Sequence, residues 1–158
     1  MIPTLPYYQI LEQIGHGGTG AVYKAIDERS GFMVAIKALW KKAFENEFVR
    51  KKFIEEANSY LYLDHPNIVG LNDFIIRDEG YYLVMEHVSG KALDEYIKEV
   101  GAIPEEVATA MLIEVLRAIG FAHDKGVVHL DLKPGNILLL NNNFSIKIRR
   151  SFKSRTIK

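Results

Sequence analysis

Cysteine is absent from the 158 residues, which excludes disulfides and thiolate metal sites. No apolar run approaches the length of a membrane span, and the longest candidate, 111–122, is broken by Glu114 and Arg117. The opening segment, Met1-Ile2-Pro3-Thr4-Leu5-Pro6, has neither a basic start nor an apolar core, so no signal peptide is expected. Internal repeats and low-complexity linkers are missing too. Acid is missing from one end: all 20 acidic residues lie at or before Asp131. Residues 145–158 instead carry six basic groups, leaving 14 basic against 20 acidic residues in the remainder. Such a run reads first as a solvated basic tail. A nucleic-acid patch is the sharper reading, but no aromatic ladder or binding motif accompanies it, so no nucleic-acid partner is expected.

What is present is ordinary for a globular chain: 48% hydrophobic and 25% charged residues, enough for one domain core. The pattern predicts strands at 8–14, 21–27 and 32–39. A charged helical onset over 41–52 leads into a helix over 53–63, with apolar Phe53, Ile54, Ala57, Tyr60 and Leu61 at helical spacing. His65-Pro66-Asn67 stops it. Two strands, 71–76 and 81–86, meet through the turn Asp78-Glu79-Gly80. Ser89-Gly90 breaks the pattern. Helices are predicted at 93–100 and from Pro104 to about His123, with acids in the first turn where the helix dipole favours them. Short strands at 127–128, 137–140 and 144–148 follow, with Asn141-Asn142-Asn143 as the last turn.

Three segments carry chemistry. The first is Gly15-His16-Gly17-Gly18-Thr19-Gly20-Ala21-Val22. Glycines let backbone N–H groups approach phosphate oxygens, although a lone G-x-G-x-x-G is as readily a hairpin turn. A dinucleotide-binding turn should open a helix, whereas Ala21 to Ile26 reads as a strand, which favours a strand–turn–strand phosphate lid. The second is Val34-Ala35-Ile36-Lys37, a lysine in an otherwise apolar strand. A lone strand lysine usually faces solvent. A cation beside triphosphate oxygens must instead be held, and Glu55 or Glu56 on the next helix can hold it. The third is His129-Leu130-Asp131-Leu132-Lys133-Pro134-Gly135-Asn136, with a carboxylate, an ammonium and an amide in one short loop.

In this order the segments resemble the N-terminal portion of a eukaryotic-type serine/threonine protein kinase catalytic domain. The resemblance implies an α+β fold: a five-stranded antiparallel N-lobe with one helix over about 8–86, then an incomplete helical C-lobe over about 91–148. It also implies ATP and Mg²⁺ as cofactors and a protein Ser/Thr hydroxyl as acceptor. Gly15, Gly17 and Gly20 would cover the phosphates, and Lys37 would be held by Glu56 rather than Glu55. The backbones of Glu86 and Val88, beside Met85, would meet the adenine, with Val22, Ala35 and Leu138 sandwiching it. Asp131 would accept the hydroxyl proton, Lys133 would steady the transferring group and Asn136 would bind one Mg²⁺. His129 would be buried scaffold. The family's usual arginine is replaced by Leu130, which removes a partner for a phosphorylated activation loop.

The resemblance covers 8–148 and stops there. Where D-F-G should follow, the chain reads Arg149-Arg150-Ser151-Phe152-Lys153-Ser154-Arg155. The expectation is a domain cut short, or read in an altered frame from 149 onward, with weak or no transfer of its own. A non-catalytic ATP-binding or scaffold pseudokinase fragment is the alternative, and a frameshifted, non-functional product is another. The apolar face of the long helix (Val107, Ala108, Met111, Leu112, Val115, Leu116, Ile119) would then be partly uncovered and prone to self-association. A cytoplasmic location and no membrane partner complete the expectation.

Overall fold

The computed structural model describes residues 3–18, 20–40, 43, 45–60, 62–78, 80–140, 145–149 and 152–154, the last three by backbone alone. The expected helical onset at Lys41-Lys42, the turn at Asn141–Asn143, and Leu61, Glu79, Arg150, Ser151 and the tail beyond Ser154 lie outside the described residues. The chain forms two compact units. One comprises Met1–Ala57 with Leu71–His87, the other Asn58–Gly70 with Val88–Lys158.

The first unit is a sheet of β1 (Tyr8–His16), β2 (Gly20–Asp27), β3 (Met33–Leu39), β4 (Leu71–Arg77) and β5 (Gly80–Glu86). Its order is β1-β2-β3-β5-β4, with every pair antiparallel. Strict alternation builds its core. Ala21, Tyr23 and Ala25 on β2, Val34, Ile36 and Ala38 on β3, and Tyr82 and Val84 on β5 all turn to one face. Each large apolar side chain buried there contributes about 1.5–3 kcal/mol. The opposite face takes α1 (Glu47–Tyr60). Asn46 starts this helix by accepting the Val49 N–H on Oδ1 at 3.2 Å. Phe53, Ala57 and Tyr60, spaced as one helical stripe, are buried. The Phe53 ring lies 6.2 Å from that of Phe74 on β4.

In the second unit, β6 (Gly90–Ala92) leads directly into α2 (Leu93–Val100), then α3 (Glu105–Asp124), β7 (Val127–His129), a 3₁₀ turn at Pro134–Asn136, β8 (Ile137–Leu140), β9 (Ile146–Ile148) and β10 (Phe152–Ser154). Strands β6, β8 and β9 form one small sheet and β10 pairs with β7 in another. Gly101 (φ 80°) and Gly126 (φ 71°) close α2 and α3 in the left-handed region that glycine tolerates. A polar knot ties α3 to β9. The Asn67 amide donates to Glu114 Oε2 and to the Ile146 carbonyl, both at 2.9 Å, while Glu114 accepts the Ile146 N–H at 3.0 Å.

Two elements differ from the sequence expectation. Gly90, read as a break, begins β6, because a glycine is what lets that strand approach β8: a Cβ there would lie 2.1 Å from the Leu139 carbonyl oxygen. Phe152–Ser154, within the stretch that matches no family pattern, is a strand registered against Val127–His129.

Candidate active site

The β2–β3 and β3–β5 registers pair Val22 with Lys37, Lys37 with Leu83 and Ala35 with Met85. Opposed residues share a face, so Val22, Ala35, Lys37 and Met85 stand together on the side away from the sheet's core. That side carries α1, and Lys37 Nζ meets Glu56 Oε1 at 2.6 Å. The neighbouring Glu55 is exposed. Phe53, one turn earlier, puts its ring 5.6 Å from the same ammonium. Glu86 pairs with Val34, so its side chain belongs to the other face, and only its backbone is left to serve a ligand on this one.

At the end of the sheet, β1 and β2 are joined by the glycine turn. Gly15 lies opposite Val22. Gly20 is required by packing, since a Cβ would sit 2.1 Å from the Ala38 carbonyl oxygen. Among the described residues nothing comes within 4 Å of a would-be Cβ at Gly17 or Gly18. The Gly17 N–H donates to the Gly20 carbonyl at 2.8 Å, and the Trp40 indole N–H donates to the Gly17 carbonyl at 3.1 Å.

In the second unit one loop assembles the polar cluster. Lys133 Nζ lies 2.9 Å from Asp131 Oδ2. The Asn136 amide donates to the same oxygen at 2.9 Å and to the Asp131 carbonyl at 2.7 Å. The Lys133 ammonium first, and the Asn136 amide with it, hold the Asp131 carboxyl below the usual carboxylate range. His129 is partly buried. Its Nδ1 accepts the Asp131 N–H at 3.3 Å, which puts the ring proton on Nε2, 3.0 Å from the Arg149 carbonyl. Burial pushes the pKa of His129 down, so the ring is neutral near pH 7. The histidine orients the loop through both nitrogens. Leu130 is 60% exposed. Leu138, buried on β8, pairs with Ala92 and Lys147, and Val88 lies in the partly buried stretch before β6.

The protein kinase domain profile matches residues 8–149. The chain belongs to the protein kinase domain family. It is 41% identical to a probable serine/threonine-protein kinase of Clostridium perfringens over 132 residues, 84% of this chain and 19% of that protein. It is 45% identical to the serine/threonine-protein kinase PrkC of Bacillus subtilis over 133 residues, 84% of this chain and 20% of that protein. Sperm motility kinase 3A of Mus musculus is 37% identical over 132 residues, 84% of this chain and 25% of that protein. The chain thus spans about a fifth to a quarter of the length of these relatives.

For this kinase domain, the geometry adds residues that motif reading passes over. Trp40 touches the glycine turn from the end of β3, where no motif position draws notice to it. Arg149 grips the polar loop three times: its N–H donates to the Asn136 carbonyl at 2.8 Å, its carbonyl faces His129, and its guanidinium donates to the Gly135 carbonyl at 3.1 Å. Asp94 on α2 packs against Gly135, and its Oδ1 is buried with no hydrogen-bond partner among the described residues.

Oxygen donors for Mg²⁺ are few. Among the described residues no group of three or more His, Asp or Glu side chains stands together to hold a metal. Asn136 offers one neutral oxygen, and Asp131 is already engaged by Lys133 and Asn136. Magnesium usually needs one or two carboxylates besides substrate phosphates, so these residues alone do not complete a magnesium site. No described helix is long and apolar enough to cross a membrane.

Proposed function

We propose that this chain binds ATP on the Val22–Ala35–Lys37–Met85 face, with Gly15, Gly17 and Gly20 over the phosphates and Lys37, steadied by Glu56, against their oxygens. By the family's pattern the backbones of Glu86 and Val88 and the side chain of Leu138 would meet the adenine. In the intact family's reaction a protein Ser or Thr hydroxyl attacks the γ-phosphorus. Asp131 takes the hydroxyl proton, the new O–P bond forms, and the bond to the β-phosphate oxygen breaks to release ADP. Lys133 neutralises charge on the phosphoryl group in passage. The observation that carries this reading is the Asp131–Lys133–Asn136 cluster, a carboxylate kept ionised and aimed by its own loop. Phosphotransfer from labelled ATP to a generic Ser/Thr substrate protein, compared with D131N, tests it. Whatever transfer the chain performs should be lost in D131N, and equal, measurable signals from both proteins would overturn the catalytic role.

A second reading rests on Arg149 and its surroundings. Where the family places a metal-holding carboxylate, the sequence after Ile148 carries none, and the Arg149 guanidinium lies against the polar loop instead. Losing such a carboxylate typically removes several powers of ten in rate. The chain then binds nucleotide and transfers phosphate slowly or not at all. Thermal shift with ATP, with and without Mg²⁺, reads this directly: stabilisation without turnover is the expected signature. Ser/Thr protein is the acceptor class on either reading, supported by Lys133-Pro134 and by the names of the relatives.

A further inference from the structure

Trp40 is the only tryptophan in the sequence. It stands one residue beyond β3, delivered to the glycine turn by the pairing of Gly20 with Leu39. The missing side chain of Gly20 allows that approach, since the Ala38 carbonyl occupies the space. Trp40 Nε1 donates to the Gly17 carbonyl at 3.1 Å, while the Gly17 N–H is held by the Gly20 carbonyl at 2.8 Å. Both polar ends of Gly17 are therefore tied. The peptide joining Gly17 to Gly18 is trans, like every described peptide bond in the chain. In a trans peptide the C=O and the following N–H point in opposite directions. Fixing the Gly17 carbonyl on the indole therefore fixes the Gly18 N–H away from it, at two positions, Gly17 and Gly18, where no described residue comes within 4 Å of a would-be Cβ.

We propose that Trp40 is a positioning residue that latches the phosphate-binding turn, holding the Gly18 amide donor ready for an anionic phosphate. The proposal rests on the ATP reading above. A preset N–H spares the cost of ordering a glycine-rich turn when ligand arrives, and glycine has the most backbone freedom to lose. A tryptophan serves because its ring spans from the strand end to the turn, and its single N–H has no competing acceptor role.

The test uses the full chain, ¹⁵N-labelled, with one indole cross-peak in its spectrum. It is titrated with a non-hydrolysable ATP analogue plus Mg²⁺, and separately with adenosine, which carries the base without phosphates. Calorimetry measures binding of both. The expected result is an indole resonance that moves with the ATP analogue and not with adenosine. W40F, which keeps an aromatic ring and removes the donor, should weaken the ATP analogue about three- to ten-fold, the worth of one neutral hydrogen bond, and leave adenosine unchanged. Calorimetric binding of the analogue with an unmoved indole peak overturns the latch while sparing the ATP reading. Equal weakening of both ligands by W40F also overturns it. Absence of heat from either ligand sinks the ATP reading and the latch together. If W40F does not fold, the wild-type indole response decides alone.

Discussion

Lys37 and Glu56 meet at 2.6 Å with side chains 31% and 22% exposed. An ion pair that wet contributes at most about 1 kcal/mol to folding. Its value to a ligand is different, because an ammonium held in place can give a charged hydrogen bond to a phosphate. E56Q should therefore leave the melting temperature within a few degrees of wild type and weaken ATP about ten-fold, roughly one charged hydrogen bond's worth. Parallel melting curves and calorimetry separate the two; a large loss of stability with unchanged affinity would make the pair mere scaffold. Asp131 gives a second residue-scale expectation. Its carboxyl is lowered chiefly by Lys133, so it stays ionised further into acid than an ordinary aspartate. K133M removes the main cause, so the Asp131 titration should move upward in pH. Carboxyl-carbon NMR reads that shift with no need for turnover, and an unmoved midpoint would contradict the contact.

Elements show what the sequence could and could not disclose. Strands β2, β3 and β5 were legible as apolar and β-branched runs bounded by turn signals, but which residues face the core was not: the alternation that puts Lys37 on the face opposite the core exists only in the burial of the folded sheet. Helix α2 was placed at the residues it occupies, and α3 was legible from its opening Pro104 and acids and from the apolar face spaced along it. Strand β6 was not, since Gly90 looks like a breaker unless one knows that β8 needs its bare backbone. Strand β10 was not legible either, because it is made by pairing with β7 and carries no pattern of its own. The polar loop was legible as a set of residue types, but its wiring was not: nothing in the spacing says that Asn136 bonds Asp131 or that Arg149 grips Gly135 and Asn136. For β6 the consequence is direct. G90A would force a methyl to within 2.1 Å of the Leu139 carbonyl, so β6 must separate from β8. A loss of about 1–3 kcal/mol in chemical denaturation is expected, as for other overpacked sites. G18A, where nothing lies within 4 Å, serves as the contrast and should cost far less.

At the scale of the whole molecule, acid is the natural stress. Burial is the leading cause that lowers the pKa of His65, His87 and His129, and the three are shared between both units. Each histidine returns toward its ordinary value of 6.5 when the chain unfolds. Between the lowered folded value and 6.5 the unfolded chain binds more protons than the folded one, so stability rises with pH across that window and falls as pH drops through it. The carboxylates with lowered values, Asp27 and Asp131, act in the opposite protonation range: their stabilisation is present above their unfolded value near 3.8 and is lost only in stronger acid. Two separate losses should therefore be seen on acidification, the first starting near pH 6.5 and owed to histidine. Melting temperature measured from pH 7.5 to 5 should fall in wild type, and H87N should flatten the first part of that fall, because the asparagine has no proton to gain. A melting temperature independent of pH over that range would mean the rings are already solvated in the native chain.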